Sequence, residues 1–162
     1  MHGHGIAIRS VSLLILAAVG SALAGIGLPR SGTSIRGSAA CTFTMCHTGG
    51  GTNCVVDGDT AWINGVKVRV ADNDAPETHP PHCASEADLG RRATERLAEL
   101  MNAGPFEQAA VDRDEDRYGR KLRVLVRRGR SLGNQLVAEG LARAWDGRRH
   151  PWCPAADYRK RR

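Results

Sequence analysis

The chain has 162 residues, a formal charge of +6 and only 4% aromatic residues. This length favours one domain over several, and the few aromatic residues exclude a core built on them, so Val, Leu, Ala and Ile must fill it. All 17 acidic residues follow residue 56, whereas basic residues cluster between residues 117 and 130 and at the chain end. Clustered positive charge favours nucleic acid first and an anionic lipid surface second, with a merely solvated basic face as the alternative.

Residues 1–28 have the pattern of a targeting segment. Arg9 precedes the apolar run 11–20, and Ala22-Leu23-Ala24 fits a small-x-small cleavage site. The uncharged stretch 11–28 is also about 18 residues long, near the minimum for a membrane-spanning helix. A cleaved signal peptide and a retained N-terminal membrane anchor both fit the pattern. Either one predicts an extracytoplasmic location, whether periplasmic, secreted or anchored to the membrane.

Composition divides the rest of the chain into three parts. Residues 29–51 are rich in Gly, Ser and Thr, which is typical of a flexible linker. Residues 52–155 carry the strand and helix patterns and are predicted to form the folded domain. Residues 156–162 form a basic tail. Nothing in these parts indicates a protein partner.

Five cysteines are many for a small cytosolic domain and agree with an oxidising compartment. Two bonds among five cysteines allow 15 arrangements, five choices of the free residue times three pairings, and the sequence does not choose among them. The pairs Cys46–Cys54 and Cys83–Cys153 are our expectation, because they tie the flank and the chain end to the domain. A zinc site drawn from His79, His82, Cys83 and the Cys46-His47 pair is the alternative, although the spacings match no established zinc pattern.

The first folded element predicted is a β-hairpin around Asn64-Gly65. This dipeptide between two apolar runs is the typical signal of a two-residue turn. Such a turn fixes the register of the two strands, so Ile63 pairs with Val66 and Thr60 pairs with Arg69.

The same register predicts which side chains share a face of the hairpin. Alternation places Asp59 at the rim of the core face, which carries Val66, Val68 and Val70. Asp74 returns to the face of Asp59 if the chain stays extended. Arg69 starts on the opposite face and must reach around the edge. The hairpin therefore gathers two carboxylates and an arginine at one end of a sheet.

The remaining elements complete an α+β pattern. Apolar residues at helical spacing predict a helix over residues 86–101, which Asn102–Pro105 ends. The segments 106–111 and 121–127 are predicted strands, and Ser131 is the predicted N-cap of a second helix carrying Leu132, Leu136, Leu141 and Trp145. This order predicts a mainly β fold, a small five-stranded OB-type barrel with two to three helices, which often binds nucleic acid.

Three short segments supply the candidate site residues: Asp57-Gly58-Asp59-Thr60, residues 68–77, and Asp116-Arg117-Tyr118-Gly119-Arg120. They contain carboxylates suited to a hard cation, a further carboxylate free to act as a base, and arginines whose planar forks suit phosphate. Phosphodiester cleavage needs this combination, because a cation offsets the charge on the phosphate, a base activates water and guanidinium groups bind the developing oxyanions. The alternative is that Asp59 and Asp74 are turn residues, since Asp-Gly is typical of turns, and for Asp57 the turn role and the support of a bound water are equally expected.

In order, spacing and flanking residues these segments resemble the staphylococcal-nuclease-like (thermonuclease) family, over roughly residues 53–145. The resemblance implies the same OB-type barrel and calcium-dependent cleavage of DNA and RNA with little sequence preference, single-stranded or unpaired regions being favoured. It implies that the calcium ligands are Asp59, Asp74 and the carbonyl of Ala75.

The resemblance also assigns roles to the other candidates. Glu77 matches the general base, and Arg69 and Arg120 match the arginines that bind phosphate. Four further residues are expected to support the cation or contact the substrate: Asp57, Thr60, Arg117 and Tyr118.

Two departures from the family pattern accompany the resemblance. Asp72-Asn73 stands where the family more often has apolar residues, and no tyrosine pair for base stacking follows Trp145, so that Trp145 or Trp152 is the candidate substitute. Two other classes of function remain open from the sequence: a non-catalytic nucleic-acid-binding barrel, and a periplasmic interaction or scaffold domain.

Overall fold

A computed structural model of the chain describes residues 35–36, 42–47 and 50–159. The predicted signal peptide or anchor and the last three residues of the basic tail lie outside these ranges. The described helices are α1 (Ala84–Asn102), α2 (Leu132–Ala138) and α3 (Ala155–Arg159). The described strands are β1 (Ile35–Arg36), β2 (Thr44–Met45), β3 (Cys54–Asp57), β4 (Thr60–Ile63), β5 (Val66–Val70), β6 (Asn73–Asp74), β7 (Glu107–Glu115), β8 (Lys121–Arg127), β9 (Arg130–Ser131) and β10 (Arg143–Ala144).

One mixed sheet has the strand order β1-β7-β8-β5-β4-β3-β2, with β9 beside β8. Strands β3, β4 and β5 form an antiparallel meander, and β5 then pairs in parallel with β8. Strands β6 and β10 form a separate antiparallel pair. The five longest strands, β3, β4, β5, β7 and β8, are neighbours in the sheet. With the helices they give the α+β, OB-type fold that the sequence predicts.

The predicted hairpin is confirmed as β4 and β5. Thr60 pairs with Arg69, so the register is the predicted one. The turn residues Asn64 and Gly65 have φ angles of 51° and 78°, the left-handed pair that a type I′ turn requires.

The predicted core face of the hairpin is only partly correct. Val68 and Val70 are fully buried, whereas Val66, at the tip beside the turn, is 46% exposed. Helix α1 packs against β3. Helix α1 buries an aliphatic stripe against the sheet: Ala93, Leu97, Leu100 and Met101.

Helix α1 has the predicted position, and an arginine of β8 caps its C-terminal end. The guanidinium of Arg127 donates to the carbonyls of Leu100 at 2.6 Å and Pro105 at 3.1 Å, and also to that of Gly104. Carbonyls of a last helical turn have no partner within the helix, so a cation at this end is stabilising. Arg127 is therefore a structural residue, although its place in the basic cluster suggested a contact with phosphate.

Helix α2 is shorter than predicted. Ser131 is the N-cap as expected, and its hydroxyl accepts from the amide of Asn134 at 3.0 Å. The helix ends before Gly140, whose φ of 71° is left-handed, and the amide of Leu141 donates to the carbonyl of Leu136 at 2.9 Å. This glycine-terminated end stops the helix, so Trp145 lies beyond it rather than on it.

Part of the stretch expected to be a linker packs into the fold. Within residues 42–47, Phe43 is 6% exposed, and its ring lies 5.8 Å from that of Phe106. Strand β2 pairs in parallel with β3, and Cys46 is bonded to Cys54. Burial of an aromatic side chain and a disulfide attach residues 42–47 to the domain, although the surrounding sequence is rich in Gly and Ser.

Both expected disulfides, Cys46–Cys54 and Cys83–Cys153, are present, and Cys41 lies outside the described residues. Cys83 and Cys153 lie close to Glu86, a grouping with metal-ligand chemistry, but their sulfurs are joined to each other.

Within the described ranges, no helix is both long enough and apolar enough to cross a membrane.

Candidate active site

Asp59 lies in the turn between β3 and β4, Asp74 ends β6, and both are almost fully buried. Asp59 follows the tight turn at Gly58. A Cβ atom at Gly58 would lie 2.7 Å from the Cβ atoms of Ala75 and Ala93, so only glycine allows the three chain segments to approach this closely. The turn thus brings one aspartate of the first segment beside the aspartate of the second.

Three groups within 3.2 Å hold the carboxylate of Asp59. Its Oδ1 accepts from the Thr60 hydroxyl at 3.0 Å, and its Oδ2 accepts from the amide of Ala75 at 3.0 Å. The guanidinium of Arg69 lies 3.2 Å from the same Oδ2, so Arg69 does reach around the edge of the hairpin. The carboxylate of Asp59 is therefore fixed in position before any ligand binds.

Asp74 differs from Asp59 because neither of its carboxylate oxygens has a hydrogen-bond partner among the described residues. The closest cationic group is Nε of Arg149, which lies 3.9 Å from Oδ1. Burial raises the pKa of Asp74, and the Asp59 carboxylate adds to the rise, whereas Arg149 opposes it. Buried carboxylate oxygens without partners are costly unless a cation is bound, so these residues fit a hard metal ion.

Asp57 supports the same cluster from the end of β3. Its Oδ1 accepts from the amide of Asp59 at 3.0 Å. Burial and the neighbouring Asp59 carboxylate raise the pKa of Asp57 well above its usual range. Asp57 therefore fixes the turn that carries Asp59 and adds a third carboxyl group to the cluster.

Arg120 joins the third segment to the first. Its Nε lies 2.7 Å from Asp116 Oδ2, and its Nη1 donates to the Thr60 hydroxyl at 3.1 Å. Asp116 also accepts from the amides of Tyr118 and Arg120, a loop that Gly119 allows with its φ of 74°. Although burial opposes it, these amides and the guanidinium lower the pKa of Asp116. The arginine is thus oriented by its own loop.

Glu77 lies beyond Pro76, and its side chain is 32% exposed. Its carboxylate is paired with the guanidinium of Arg149. Arg149 also lies 3.7 Å from Asp59 Oδ2, so it contacts both the candidate base and the candidate cation ligands. No motif or spacing singles out Arg149 in the run Gly147-Arg148-Arg149-His150, so its position was not predictable from the sequence.

A pocket of about 760 Å³ opens beside this cluster. Arg69 and Arg120 line it, together with Tyr118 and Trp145. Tyr118 is 68% exposed and accepts a hydrogen bond from Arg117 at 2.6 Å, while the Trp145 ring lies against the guanidinium of Arg69, 5.4 Å from ring centroid to Cζ. The pocket combines cationic groups with exposed aromatic rings.

The structure thus brings together the candidates from all three segments. Asp59, Thr60, Arg69 and Arg120 are joined by direct contacts, and Asp74 is linked to Asp59 through Arg149. Ala75 is buried, and its amide contacts Asp59. The departure at Asp72-Asn73 is accommodated, because Asn73 is buried and donates to the carbonyl of Gly58 at 3.0 Å.

An OB-type barrel in which paired aspartates lie beside arginines is the arrangement expected of the staphylococcal-nuclease-like class of proteins. The family model described as "Staphylococcal nuclease homologue" matches residues 67–158, more than half of the chain. The chain is therefore a member of that family. The matched range contains Arg69, Asp74, Glu77 and Arg120, while Asp59 precedes it.

Two curated relatives from Bacillus subtilis (strain 168) are similar to this chain. Over 94 residues it is 38% identical to "Endonuclease YncB", covering 54% of this chain and 44% of the relative. It is 37% identical over 94 residues to "SPbeta prophage-derived endonuclease YokF", covering 54% of this chain and 31% of the relative. The chain thus spans less than half the length of either relative.

Proposed function

We propose that this protein is a calcium-dependent nuclease that hydrolyses phosphodiester bonds of DNA and RNA. The observation that carries the proposal is the pair of buried aspartates, one without hydrogen-bond partners, beside two arginines on one pocket. Membership of the family and the names of both endonuclease relatives support it.

The residues that would hold calcium are Asp59, Asp74 and the carbonyl of Ala75. Hard oxygen ligands of this kind suit calcium, and three of them leave room for phosphate and water. When bound, the ion offsets negative charge on the attacked phosphate group. The protein prepares for this by fixing Asp59 through Thr60 and the Ala75 amide.

The chain's own side chains would then carry the reaction. Glu77 accepts a proton from a water molecule as the water oxygen bonds to phosphorus, and the bond to the leaving oxygen breaks as that oxygen takes a proton from solvent. Arg69 and Arg120 bind the phosphate oxygens, where a planar guanidinium offers two parallel donors. Their ion pairs with Asp59 and Asp116 orient both guanidinium groups beforehand.

The pocket favours unpaired nucleic acid. Exposed aromatic rings offer stacking surfaces to bases that are not already stacked in a duplex, and Tyr118 and Trp145 supply them beside the arginines.

Two disulfides agree with an extracytoplasmic location, whether secreted, periplasmic or anchored through residues 11–28.

A nuclease assay on the purified full-length chain tests the proposal. We expect single-stranded DNA and RNA to be degraded with calcium and to persist with excess chelator. Binding of both nucleic acids without cleavage at any calcium concentration would instead identify a non-catalytic binding barrel. Neither binding nor cleavage would favour an interaction or scaffold domain.

A further inference from the structure

The charge balance of the carboxylate cluster depends on one arginine that no motif contains. Three carboxylates lie within ion-pair distance of Arg149: Asp59 Oδ2 at 3.7 Å from Nη2, Asp74 Oδ1 at 3.9 Å from Nε, and Glu77 in direct contact with Nη1. All three nitrogens of one guanidinium therefore face the residues expected to bind the cation and activate water. The surrounding carboxylates raise the pKa of Arg149 although burial opposes the rise.

The segment that carries Arg149 is fixed at both ends. At its start, the amide of Trp145 donates to the carbonyl of Asp72 at 3.1 Å. At its end, Cys153 is bonded to Cys83 at the start of α1. The neighbouring Arg148 instead lies within 4.0 Å of Asp146, and its side chain is 77% exposed. The fold thus selects Arg149, and not Arg148, to face the carboxylates.

We propose that Arg149 is an internal counter-ion of the cation site, occupying the carboxylates when no cation is bound and displaced when one binds. Arg149 lies against both Asp59 and Asp74, whereas Arg69 contacts Asp59 alone, so a cation held between the two aspartates would take the place of the Arg149 guanidinium and be repelled by it. Arg149 already lines the pocket beside Arg69, so its guanidinium has an open path away from the carboxylates.

Displacement has two consequences for the reaction. It releases Glu77 from its ion pair, so that the carboxylate is free to accept a proton. It also leaves the guanidinium in the pocket, where a phosphate group of the substrate replaces the lost carboxylate partners. Cation binding and phosphate binding therefore assist each other, a reciprocal linkage between two ligands.

The test measures calcium affinity by calorimetry on the full-length chain and three variants. In Arg149→Gln the competing charge is absent, and we expect calcium to bind about tenfold more tightly, ~1.4 kcal/mol. Arg149→Lys retains a charge and should stay within about threefold of the wild type. Arg148→Gln is the matched control, because it removes the same charge one residue away, and its affinity should equal that of the wild type within error.

A second measurement follows the wild-type chain itself and uses the conservative Arg149→Lys variant only to assign a resonance. The Nε–H resonance of Arg149 in the wild-type chain, assigned by its absence in Arg149→Lys, should shift on calcium addition, while that of Arg148 stays fixed. Equal or weaker calcium binding by Arg149→Gln, or an unmoved Arg149 resonance at calcium saturation, would overturn the inference.

The inference rests on the proposed calcium site, and the two can fail separately. If the wild type binds calcium and Arg149→Gln binds it no better, only the role of Arg149 is rejected. If none of the four proteins binds calcium, the calcium requirement of the proposed function and this inference are both rejected.

Discussion

The hydroxyl of Thr60 accepts a hydrogen bond from Nη1 of Arg120 at 3.1 Å, although the two residues are 60 positions apart in the chain. The same hydroxyl donates to Asp59 Oδ1 at 3.0 Å. One buried hydroxyl therefore connects the proposed cation ligand with the proposed phosphate ligand. Thr60 therefore fixes the position of the proposed phosphate-binding arginine relative to the proposed cation ligand.

This contact predicts that Thr60→Val lowers turnover by about tenfold or more. The substitution keeps the shape of the side chain but leaves a buried carboxylate oxygen without its donor, a loss of about 1–3 kcal/mol. Steady-state kinetics should show a fall in kcat larger than any rise in KM. Thr60→Ser keeps the hydroxyl and serves as the control, and turnover as low as that of the valine variant would contradict the assigned role.

Glu77→Gln tests the general base. The amide keeps the size of the side chain but accepts no proton from water, and the loss of general-base help typically costs about 10²–10⁴ in rate. Single-turnover cleavage of a labelled single strand measures the chemical step directly. Circular dichroism and calcium affinity control for folding and for the cation site. Near wild-type cleavage by a folded variant would mean that the base lies elsewhere.

Asp74→Asn tests the cation site without assuming activity. Calcium binding and cleavage should both be lost, because an amide oxygen carries no charge and the other ligands do not compensate. The pKa of Asp74 is raised by burial, so the folded protein holds this proton more tightly than the unfolded chain. The free energy of unfolding of the metal-free wild type should therefore fall as the pH rises from about 4 through the raised pKa.

The asparagine variant cannot ionise at position 74 and should lose that part of the pH dependence. Urea unfolding in chelator at several pH values provides the measurement. If the free energy of unfolding changed with pH in the same way for the wild type and Asp74→Asn, burial of this carboxylate would not be the cause of the pH dependence. Cleavage that is undiminished in excess chelator would refute the cation assignment altogether.

Arg127 and Arg128 separate structural from electrostatic roles within the basic cluster. Arg127 binds carbonyls at the end of α1, so Arg127→Gln should lower the free energy of unfolding by about 1–3 kcal/mol. Arg128 is exposed in the β8–β9 turn. If it contacts phosphate, Arg128→Gln should flatten the salt dependence of nucleic-acid binding by about one unit of log–log slope and leave stability unchanged. The reverse pattern, with the slope changed only by Arg127→Gln, would contradict this division.

Much of the architecture could be predicted from local sequence. Asn64-Gly65 determined the turn and hence the register of β4 and β5, because only left-handed residues close a two-residue hairpin. Helical spacing located α1, and Ser131 located the start of α2. These features were predictable because each depends on residues that are close together in the chain.

The sequence also determined which residue types the site contains. The three segments with their aspartates, glutamate and arginines are visible without coordinates, and both disulfide pairs were expected though not derivable. The flexible-linker expectation was inaccurate for residues 42–47, because burial of Phe43 against Phe106 is a contact between residues far apart in the chain.

Only the tertiary structure decided which distant residues contact one another in and around the site. The link from Thr60 to Arg120 depends on the parallel pairing of β5 with β8, which brings the third segment beside the first. The role of Arg127 depends on the end of α1 lying next to β8. Arg149 has no local signal at all, and it meets Asp59 and Asp74 because Cys153 and Trp145 hold its segment over them. Long-range contacts of this kind are set by packing, so they follow from the folded chain and not from the pattern of residues.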